Sequence, residues 1–396
     1  MNSKILVFKN FLKNILIEVL SVFQYIILFF SSILFKIVIK KQNGVVIGVS
    51  EISKLLYLYG KALPDAKTVC LSENKFYQFD YNYQISNSNK LLYSLKKLIY
   101  APILLAYLSS KNHIFIYLWS TGFILNRKYD FFFLKRNDKK IINIFVGDDI
   151  RSPKKLKIAL DKLGYDGFIQ SVGIENPFYL SIAYERQKIK LAKLADKYAD
   201  LYFSYPIDQA SHLQKRQYPM PYIYLKSDLN FSELKFVNVN KYKIIHAPSN
   251  ASIKGTPLVR EAIERLSIEG YVFEYKELFN VDNKTLMNEL RESHIVLNQF
   301  YAFVPGMFGI ESMANHCAVL MSADPSIEKN LPRSAIDAWM VTKSSDIYKN
   351  LKYLLDNKKE IKRYADSGYY FIENNYTEEY VHKYLVTTFQ ENGIKI

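Results

Sequence analysis

The 396-residue sequence contains few of the residues that build disulfide frameworks, metal centres or loop-dominated chains. Its two cysteines, Cys70 and Cys317, exclude a disulfide scaffold, and both are predicted to be reduced, buried thiols of a cytosolic protein. Six histidines and two cysteines show no metal-ligand spacing, so we expect no metal and no other cofactor. The 14 glycines and 12 prolines exclude a collagenous chain.

Acidic residues are also in the minority, and the formal net charge is +15. Such a balance favours an anionic partner, which is a nucleic acid, an acidic phospholipid surface or a phosphate-bearing substrate. The lysines are spread along the chain without a motif of clustered basic and stacking aromatic residues, so no nucleic-acid partner is expected. The hydrophobic content of 49% and the length predict a packed globular chain of two domains.

Residues 1–41 form a basic and then strongly apolar segment that we expect to associate with a membrane. Three lysines precede the apolar stretch Ile15–Ile39, within which Val19–Phe35 carries no charge. The uncharged run corresponds to a helix of about 25 Å, slightly short of the hydrocarbon thickness of a bilayer, whereas the whole stretch exceeds it. A polar stripe also permits a helix lying in the interface, and a helix packed on the soluble body is a third alternative. The stripe comprises Glu18, Ser21, Gln24, Ser31, Ser32 and Lys36.

Past residue 41, short apolar runs alternate with helix-length segments, which is typical of βαβ units with a parallel sheet. The predicted strands are 44–49, 68–71, 113–118, 140–147, 201–205, 243–246, 271–275, 295–299 and 318–321. The predicted helices are 51–63, 90–109, 179–198, 256–269, 283–293, one from about 310, 344–357 and 359–373. We therefore predict an α/β fold of two doubly wound Rossmann-like lobes, 42–228 and 241–375, around a cleft. An extra apolar N-terminal helix precedes them, and a C-terminal helix, 376–396, follows.

The segment 303–324 contains a glycine turn, Gly306–Gly309, in front of a helix predicted to begin near Ile310. The glycines permit a close backbone approach, and the free N–H groups at the start of a helix suit a diphosphate. Glu311 follows in the first helical turn, where its carboxylate can accept hydrogen bonds from a ribose diol. A carboxylate at this position also caps its own helix, and the spacing alone does not separate the two roles.

A second turn between a predicted strand and helix, 244–256, offers another set of polar groups. The strand ends at His246, the turn contains Ser249, and Lys254 precedes the helix, where its ammonium group can neutralise phosphate charge. Taken alone, Lys254 also fits an ordinary solvated surface lysine. His246 has the alternative of a hydrogen-bonded core histidine.

A third segment, 145–151, delivers Asp148, Asp149 and Arg151 to the carboxyl end of a predicted strand. Paired carboxylates in a cleft fit acceptor binding or general acid–base catalysis. They fit equally well as caps of the following turn. A structural salt link between Asp149 and Arg151 is a further alternative.

Together, the three segments resemble those of the GT-B glycosyltransferases, in the large retaining group that uses nucleotide-sugar donors. In that group a strand ends in a His-x-Pro-Ser-like turn before a Lys-Gly pair, matched here by residues 246–250 and 254–255. A Gly-x-Phe-Gly turn and a Glu-x-Met-Ala helix are matched by residues 306–309 and 311–314. Residues 147–151 match the Gly-Ser-Asp-Ile-Arg of some capsule and lipopolysaccharide enzymes, with aspartate in place of serine.

The resemblance implies transfer of a sugar from a nucleotide-sugar donor to a lipid-linked or polysaccharide acceptor, without a required metal. Asp149 and Arg151 would be the catalytic residues and would face the acceptor or the transferred sugar in the N-terminal lobe. The C-terminal lobe would bind the donor, and the protein would work at the cytoplasmic face of the inner membrane, against an anionic surface. The implied donor contacts are His246, Ser249, Lys254, Gly306, Met307, Phe308, Gly309 and Glu311.

Two departures from the family pattern leave a second function open. Many members carry a glutamate eight residues before the one that matches Glu311, and here that position is Phe303. The histidine often found near the cleft in the N-terminal lobe is not evident, since the strand end reads Tyr117–Ser120. The alternative is a non-catalytic GT-B-like scaffold of a glycan assembly complex.

Overall fold

Two parallel β-sheets, one in each half of the chain, form the frame of the protein. The computed structural model describes residues 3–39, 43–72, 79–85, 89–165, 169, 172–173 and 176–396. Residues 1–2 and 40–41 of the predicted membrane segment therefore lie outside the described part of the chain. The two cysteines are free and buried, as predicted.

The sheet of the N-terminal lobe has the strand order β3-β2-β1-β4-β5-β6, and all of its strand pairs are parallel. Its strands are β1 (Gly44–Val49), β2 (Lys67–Cys70), β3 (Tyr83–Gln84), β4 (Asn112–Leu118), β5 (Lys140–Ile144) and β6 (Leu201–Phe203). The helices of this half are α1 (Ser3–Val38), α2 (Leu55–Ala62), α3 (Lys90–Lys111), α4 (Lys128–Arg136), α5 (Pro153–Leu163), α6 (Ile182–Tyr198) and α7 (Pro206–Gln209).

The sheet of the C-terminal lobe has the order β11-β10-β9-β7-β8, again with parallel pairs. Its strands are β7 (Tyr242–His246), β8 (Phe273–Glu277), β9 (Ile295–Leu297), β10 (Ala318–Met321) and β11 (Met340–Val341). The helices are α8 (Ala251–Lys254), α9 (Thr256–Ile268), α10 (Asn283–Glu292), α11 (Gly306–Ala314), α12 (Ile347–Asp356), α13 (Lys358–Asn375) and α14 (Glu378–Glu391).

Both faces of the N-terminal sheet are buried, which explains why its strands appear in the sequence as continuous apolar runs. Along β4, Ile114 and Ile116 belong to the core on one face, whereas Phe115 and Tyr117 belong to the core on the other. In β1, Val46 likewise belongs to the core on one face of the sheet, and its neighbours Val45 and Ile47 belong to the core on the other face. The predicted doubly wound α/β architecture with two lobes is confirmed.

Several predicted element boundaries are wrong by a few residues. The strand predicted at 140–147 ends at Ile144, because the following residues turn into the cleft. The strand predicted at 271–275 runs instead over Phe273–Glu277, in register with β7. The helix predicted from 51 begins at Leu55, since the Glu51 carboxylate accepts the N–H groups of Leu56 and Tyr57 at its start.

Helix α1 packs on the soluble body through the polar stripe noted in the sequence. Gln24 Nε2 donates to the carbonyl oxygen of Leu98 at 3.2 Å, and its Oε1 accepts the N–H of Leu125 at 2.9 Å. Ser21 Oγ accepts the N–H of Asn126 at 3.0 Å. The interpretation of a helix packed on the protein therefore holds for this face of α1, and its opposite face is apolar and exposed.

Among the described residues, length and apolar composition single out two helices that are able to cross a membrane. They are Leu12–Val38 within α1 and Leu91–Lys111 within α3. Because α3 contributes Ala101, Leu104 and Leu105 to the same core as the sheet, its inner side is part of the N-terminal lobe. Composition alone does not distinguish such a helix from one in a bilayer.

The C-terminal helix returns to the N-terminal lobe. His382 Nδ1 of α14 lies 2.8 Å from the carbonyl oxygen of Ala62, at the end of α2. Tyr384 Oη donates to the carbonyl oxygen of Pro219 at 2.9 Å. Val381 and Leu385 belong to the apolar core that α2 also shares. This helix therefore ties the second half of the chain to the first.

Candidate active site

A cavity of about 370 Å³ lies between the lobes, at the carboxyl ends of the parallel strands. The β1–α2 loop, the turn after β5 and the start of α7 line it from the N-terminal lobe. The turn after β7, the end of β9 and the start of α11 line it from the C-terminal lobe. Among the predicted site residues, the cavity wall includes Arg151, Ser249, Lys254, Gly306 and Met307.

Lys254 is a buried cation on the C-terminal side of the cavity, with 9% of its surface exposed. Its Nζ donates to Gln299 Oε1 at 2.7 Å and to Asn298 Oδ1 at 3.3 Å. No acidic side chain of the described residues forms an ion pair with it, and burial lowers the pKa of its ammonium group to about 8. The alternative of a solvated surface lysine is therefore wrong, because the ammonium group is buried and hydrogen-bonded to two side-chain amides.

The glycine segment forms the first turn of α11, and the predicted start near Ile310 is four residues too late. Only Gly306 has a left-handed backbone, with a φ of +65°, and the chain is helical from there on. A side chain at Gly309 would place its Cβ 2.6 Å from Asn298 Nδ2, which donates to the carbonyl oxygen of Pro305. Glycine is favoured at position 306 by the left-handed backbone and is needed at position 309 for this close approach.

The first turn of α11 borders the cavity, so the N–H groups at the start of this helix lie at the cavity. The Gly306 N–H donates to the hydroxyl of Tyr222 at 3.2 Å. The first N–H groups of a helix have no acceptor within the helix, and its dipole adds positive potential there. Met307 lies on the cavity wall, and Phe308 packs against the apolar core. Lys254 and this helix start together make the C-terminal side of the cavity electropositive.

His246 is a hydrogen-bonded core residue, which is the alternative role that the sequence left open for it. It has no exposed surface; its Nδ1 lies 2.7 Å from the carbonyl oxygen of Leu297 and its Nε2 2.8 Å from Thr256 Oγ1. Burial lowers its pKa to about 4, so the ring is neutral. It supports the turn that carries Ser249 and Lys254, and it does not line the cavity.

The alternative of a salt link between Asp149 and Arg151 is wrong. Arg151 Nη2 donates to Asp208 Oδ2 at 2.6 Å, and its Nη1 lies 3.6 Å from Asp148 Oδ1. The Asp149 carboxylate accepts the N–H of Val146 at 3.2 Å, and burial raises its pKa to about 7. The turn after β5 therefore directs Asp148 and Arg151 toward the cavity and Asp149 into the interior.

Helix α6 holds this turn in place through two side chains that the sequence analysis did not select. Tyr184 Oη donates to the carboxylate of Asp148. Lys188 Nζ donates to the carbonyl oxygens of Asp148 and, at 3.1 Å, Asp149. No local pattern marks these residues, because they reach the turn from a helix about 40 positions away in the chain.

Asp208 is a second residue that only the structure brings to the site. It lies in the short helix α7, which follows β6. Its Oδ1 accepts the N–H of Phe303 at 2.8 Å, and its Oδ2 accepts a hydrogen bond from Arg151. The Phe303 side chain is fully buried and packs edge-on against Tyr165, with ring centroids 5.3 Å apart. An acidic group thus lies beside the position where the family pattern has a glutamate. The signal in the sequence that points to Asp208 is its position shortly after the end of the predicted strand 201–205.

Glu311 lies one turn further along α11 and is not part of the cavity wall. Its Oε1 accepts Asn283 Nδ2 at 3.3 Å, and burial raises its pKa to about 7, against a smaller opposite effect of Lys54. Because the helix begins five residues earlier, Glu311 does not cap it. Lys54 follows Ser53 in the β1–α2 loop, and both residues have left-handed backbones, with φ of 68° and 51°.

Solved structures with a similar fold include a protein in complex with a nucleotide-sugar. The Anabaena protein HepE in complex with UDP-glucose has a TM-score of 0.55 and 10% identity, and the likeness covers 88% of this chain and 99% of that one. The sucrose-phosphate synthase of Thermosynechococcus elongatus has a TM-score of 0.57 and 11% identity, with 88% and 98% covered. The fold is that of the GT-B glycosyltransferases.

WaaG, a glycosyltransferase involved in lipopolysaccharide biosynthesis, has a TM-score of 0.53 and 9% identity, over 87% of this chain and 99% of WaaG. No protein-family model and no curated protein sequence matches the chain. At these identities the likeness establishes the GT-B fold. The chemistry of this chain has to be argued from its own cavity.

Proposed function

We propose that this protein is a glycosyltransferase that moves a sugar from a nucleotide-sugar donor to an acceptor. The observation that carries the proposal is Lys254, a buried ammonium group whose hydrogen bonds go to neutral amides of Asn298 and Gln299. It faces the same cavity as the first turn of α11, at the place where GT-B lobes meet. A bound diphosphate supplies an anionic partner for both the Lys254 ammonium group and the N–H groups of this helical turn.

The geometry also fits the chemistry of the transfer. Breaking the bond between the anomeric carbon of the sugar and the diphosphate leaves negative charge on the diphosphate oxygen. In our proposal Lys254 and the amides of Met307 and Phe308 stabilise that charge, which lowers the barrier without a metal. Glu311 holds the ribose further along α11. Ser249 completes the donor side of the cavity.

On the opposite wall, Arg151 and Asp148 face the acceptor or the transferred sugar. Asp208 and Tyr184 hold these two groups, whereas Asp149 positions the turn from behind. We propose a retaining transfer to a lipid-linked or polysaccharide acceptor, in cell-surface glycan biosynthesis at the cytoplasmic face of the inner membrane. The net charge of +15 and the exposed apolar side of α1 support that location.

A thermal-shift panel of nucleotide-sugars, followed by a turnover assay, tests the proposal. We expect one nucleotide-sugar class to raise the unfolding temperature of the wild-type chain and not that of Lys254→Ala. Lys349→Ala, on the exposed side of α12, is the control and should behave as the wild type. With the selected donor and a membrane extract as the acceptor source, release of the nucleoside diphosphate should depend on the extract.

The buried Phe303 favours a second function, a non-catalytic scaffold that binds a nucleotide-sugar. Phe303 fills with an aromatic ring the position that carries a glutamate in many glycosyltransferases of the family it resembles. The same assay separates the two functions. Donor binding without extract-dependent release of the nucleoside diphosphate would favour the scaffold, and release would favour the transferase.

A further inference from the structure

The outer side of α1 is an apolar surface without a partner among the described residues. Val19, Phe23, Ile26, Phe30 and Leu34 follow one helical stripe, and each is between 47% and 65% exposed. Helix α3 extends the same surface sideways through Leu91, Leu95 and Ile99, of which Leu91 is 69% exposed. We call these eight residues the apolar face. Soluble monomers rarely expose so long a contiguous apolar surface, and such a surface marks a partner.

The polarity of α1 is the reverse of that of a surface helix in water. Its polar residues Glu18, Ser21 and Gln24 face the protein and are hydrogen-bonded there. Tyr129 Oη donates to Glu18 at 2.6 Å, and Phe35 packs on Tyr107 of α3 with ring centroids 5.6 Å apart. A helix with its polar side satisfied inside and its apolar side outside fits contact with hydrocarbon.

These contacts also determine how α1 lies relative to a bilayer. They run from Glu18 to Phe35, about 26 Å of helix, which is most of the hydrocarbon thickness. Over that length α1 lies beside α3, and α3 lies on the β-sheet. If α1 crossed the bilayer, α3 and the edge of the sheet would enter it too, with polar backbone groups that lipid cannot satisfy.

A basic groove of about 660 Å³ lies between the N-terminal part of α1 and α6. Lys13, Arg186 and Lys190 line it, and its lining contains no acidic residue. None of the three cations forms an ion pair with an acidic side chain of the described residues, in contrast to Lys128, which pairs with Glu18. Phe178 also lines the groove and is 40% exposed, and Ile182, at the start of α6, is 73% exposed.

We propose that the apolar face lies in one leaflet of an anionic membrane, that α1 does not cross the bilayer, and that the α1–α6 groove binds phosphates of lipid headgroups. An exposed apolar face on α1, together with unpaired cations in the groove at the N-terminal part of the same helix, is complementary to a surface of acyl chains below anionic headgroups. A second copy of the chain is less suited to this surface. In a symmetric dimer the apolar face contacts itself, and two basic grooves without acidic residues come close to each other. The inference deepens the membrane partner proposed above.

Vesicle binding and labelling test the proposal. The wild-type chain should bind vesicles of phosphatidylcholine containing about one-third phosphatidylglycerol, and neutral vesicles much less. Arg186→Gln with Lys190→Gln should weaken binding to the anionic vesicles about thirtyfold, since each surface cation contributes roughly 1 kcal/mol. The control pair, Lys284→Gln with Lys349→Gln, removes the same charge elsewhere and should have a clearly smaller effect. Unfolding temperatures verify that both variants fold.

The orientation of α1 is tested by labelling cysteines in sealed membrane vesicles of both orientations. The native cysteines are buried, so Ser3→Cys and Lys395→Cys report on the two ends of the chain. If α1 lies in one leaflet, an impermeant maleimide labels both positions from the same side. Labelling from opposite sides would overturn the proposal, because α1 would then span the membrane.

Two other results would also overturn it. Equal binding to neutral and anionic vesicles would remove the role of the groove. A detergent-free dimer without vesicle affinity would assign the apolar face to a second copy. Donor binding is measured by thermal shift on the same samples. Because vesicle binding and donor binding can be lost independently, failure of the membrane proposal is distinguishable from failure of the transferase proposal.

Discussion

At the scale of single residues, buried charges control the cleft, and their partners come from both lobes. Arg151 and Asp208 are held together at 2.6 Å with little exposed surface, and Asp208 also accepts the N–H of Phe303. The contact joins α7 to the segment before α11. A buried ion pair of this kind depends on both members, because the loss of one leaves the other charge desolvated and unpaired.

A double-mutant cycle on this pair should show strong coupling. Asp208→Leu alone leaves Arg151 buried without its closest carboxylate and should lower the free energy of unfolding by about 3–5 kcal/mol. Combining it with Arg151→Met should recover most of the loss, since apolar residues of similar volume replace both charges. Urea denaturation of the four chains measures the coupling. Additive losses would show that the pair does not act as a unit.

Glu311 gives the stability a pH dependence of definite sign. Burial raises its pKa from 4.5 to about 7 in the folded chain, so between these values the folded state binds the proton more tightly than the unfolded state. Its contribution to stability therefore falls as the pH rises through this window and is unfavourable above it. Glu311→Gln should gain stability relative to the wild type over that range.

Unfolding experiments from about pH 4.5 to pH 8 measure this difference. The control is Glu264→Gln on the exposed side of α9, whose stability should stay parallel to the wild type. A constant offset between Glu311→Gln and the wild type at every pH would contradict the assignment of a raised pKa in the folded state.

At the scale of secondary-structure elements, α1 is part of the fold on one side and exposed on the other. Gln24 satisfies the carbonyl oxygen of Leu98 and the N–H of Leu125, both outside α1. A helix that served only as a removable anchor would lack such contacts. Deletion of α1 would therefore leave these two main-chain groups of the N-terminal lobe without their side-chain partner.

Substitutions on the two sides of α1 should have different effects. Ser21→Ala with Gln24→Ala should lower the free energy of unfolding by about 1–3 kcal/mol, because the main-chain groups that these side chains satisfy lose their partners. Ile26→Ser on the apolar face should change it by less than about 0.5 kcal/mol. Chemical denaturation in mild detergent compares them. Equal effects would mean that α1 is not docked as described.

Much of the element order was predictable because strands buried on both faces appear as short apolar runs. The runs at β1, β4 and β7 were predicted within a residue of their observed bounds. The orientation of α1 was not, since a polar stripe shows that a helix has two sides and does not show which side meets the protein. The predicted start of α11 is late, because the sequence pattern assigns Gly309 to the turn, whereas Gly309 is helical.

At the scale of the whole molecule, the site depends on long-range contacts that no local pattern contains. The strand-end loops with Lys254 and Gly306 were found in the sequence, since ligands of parallel sheets gather at the carboxyl ends of strands. Asp208, Tyr184 and Lys188 were missed, because each reaches the cleft from another part of the chain. The two lobes also contact each other at a long distance in the chain, since the Glu328 carboxylate accepts the N–H groups of Ile207 and Asp208.

Calorimetric titration of Lys254→Ala tests directly whether the cavity binds the diphosphate of a nucleotide-sugar. The ligands are the nucleoside diphosphate of the donor found in the thermal-shift panel and its parent nucleoside. A charge-assisted contact to phosphate contributes about 1.5–3 kcal/mol, so the variant should bind the diphosphate about ten- to a hundredfold more weakly than the wild type. The nucleoside should bind both chains alike, and Lys349→Ala should match the wild type for both ligands. Unchanged affinity of Lys254→Ala for the diphosphate would contradict the assignment of this cavity as a nucleotide-sugar site.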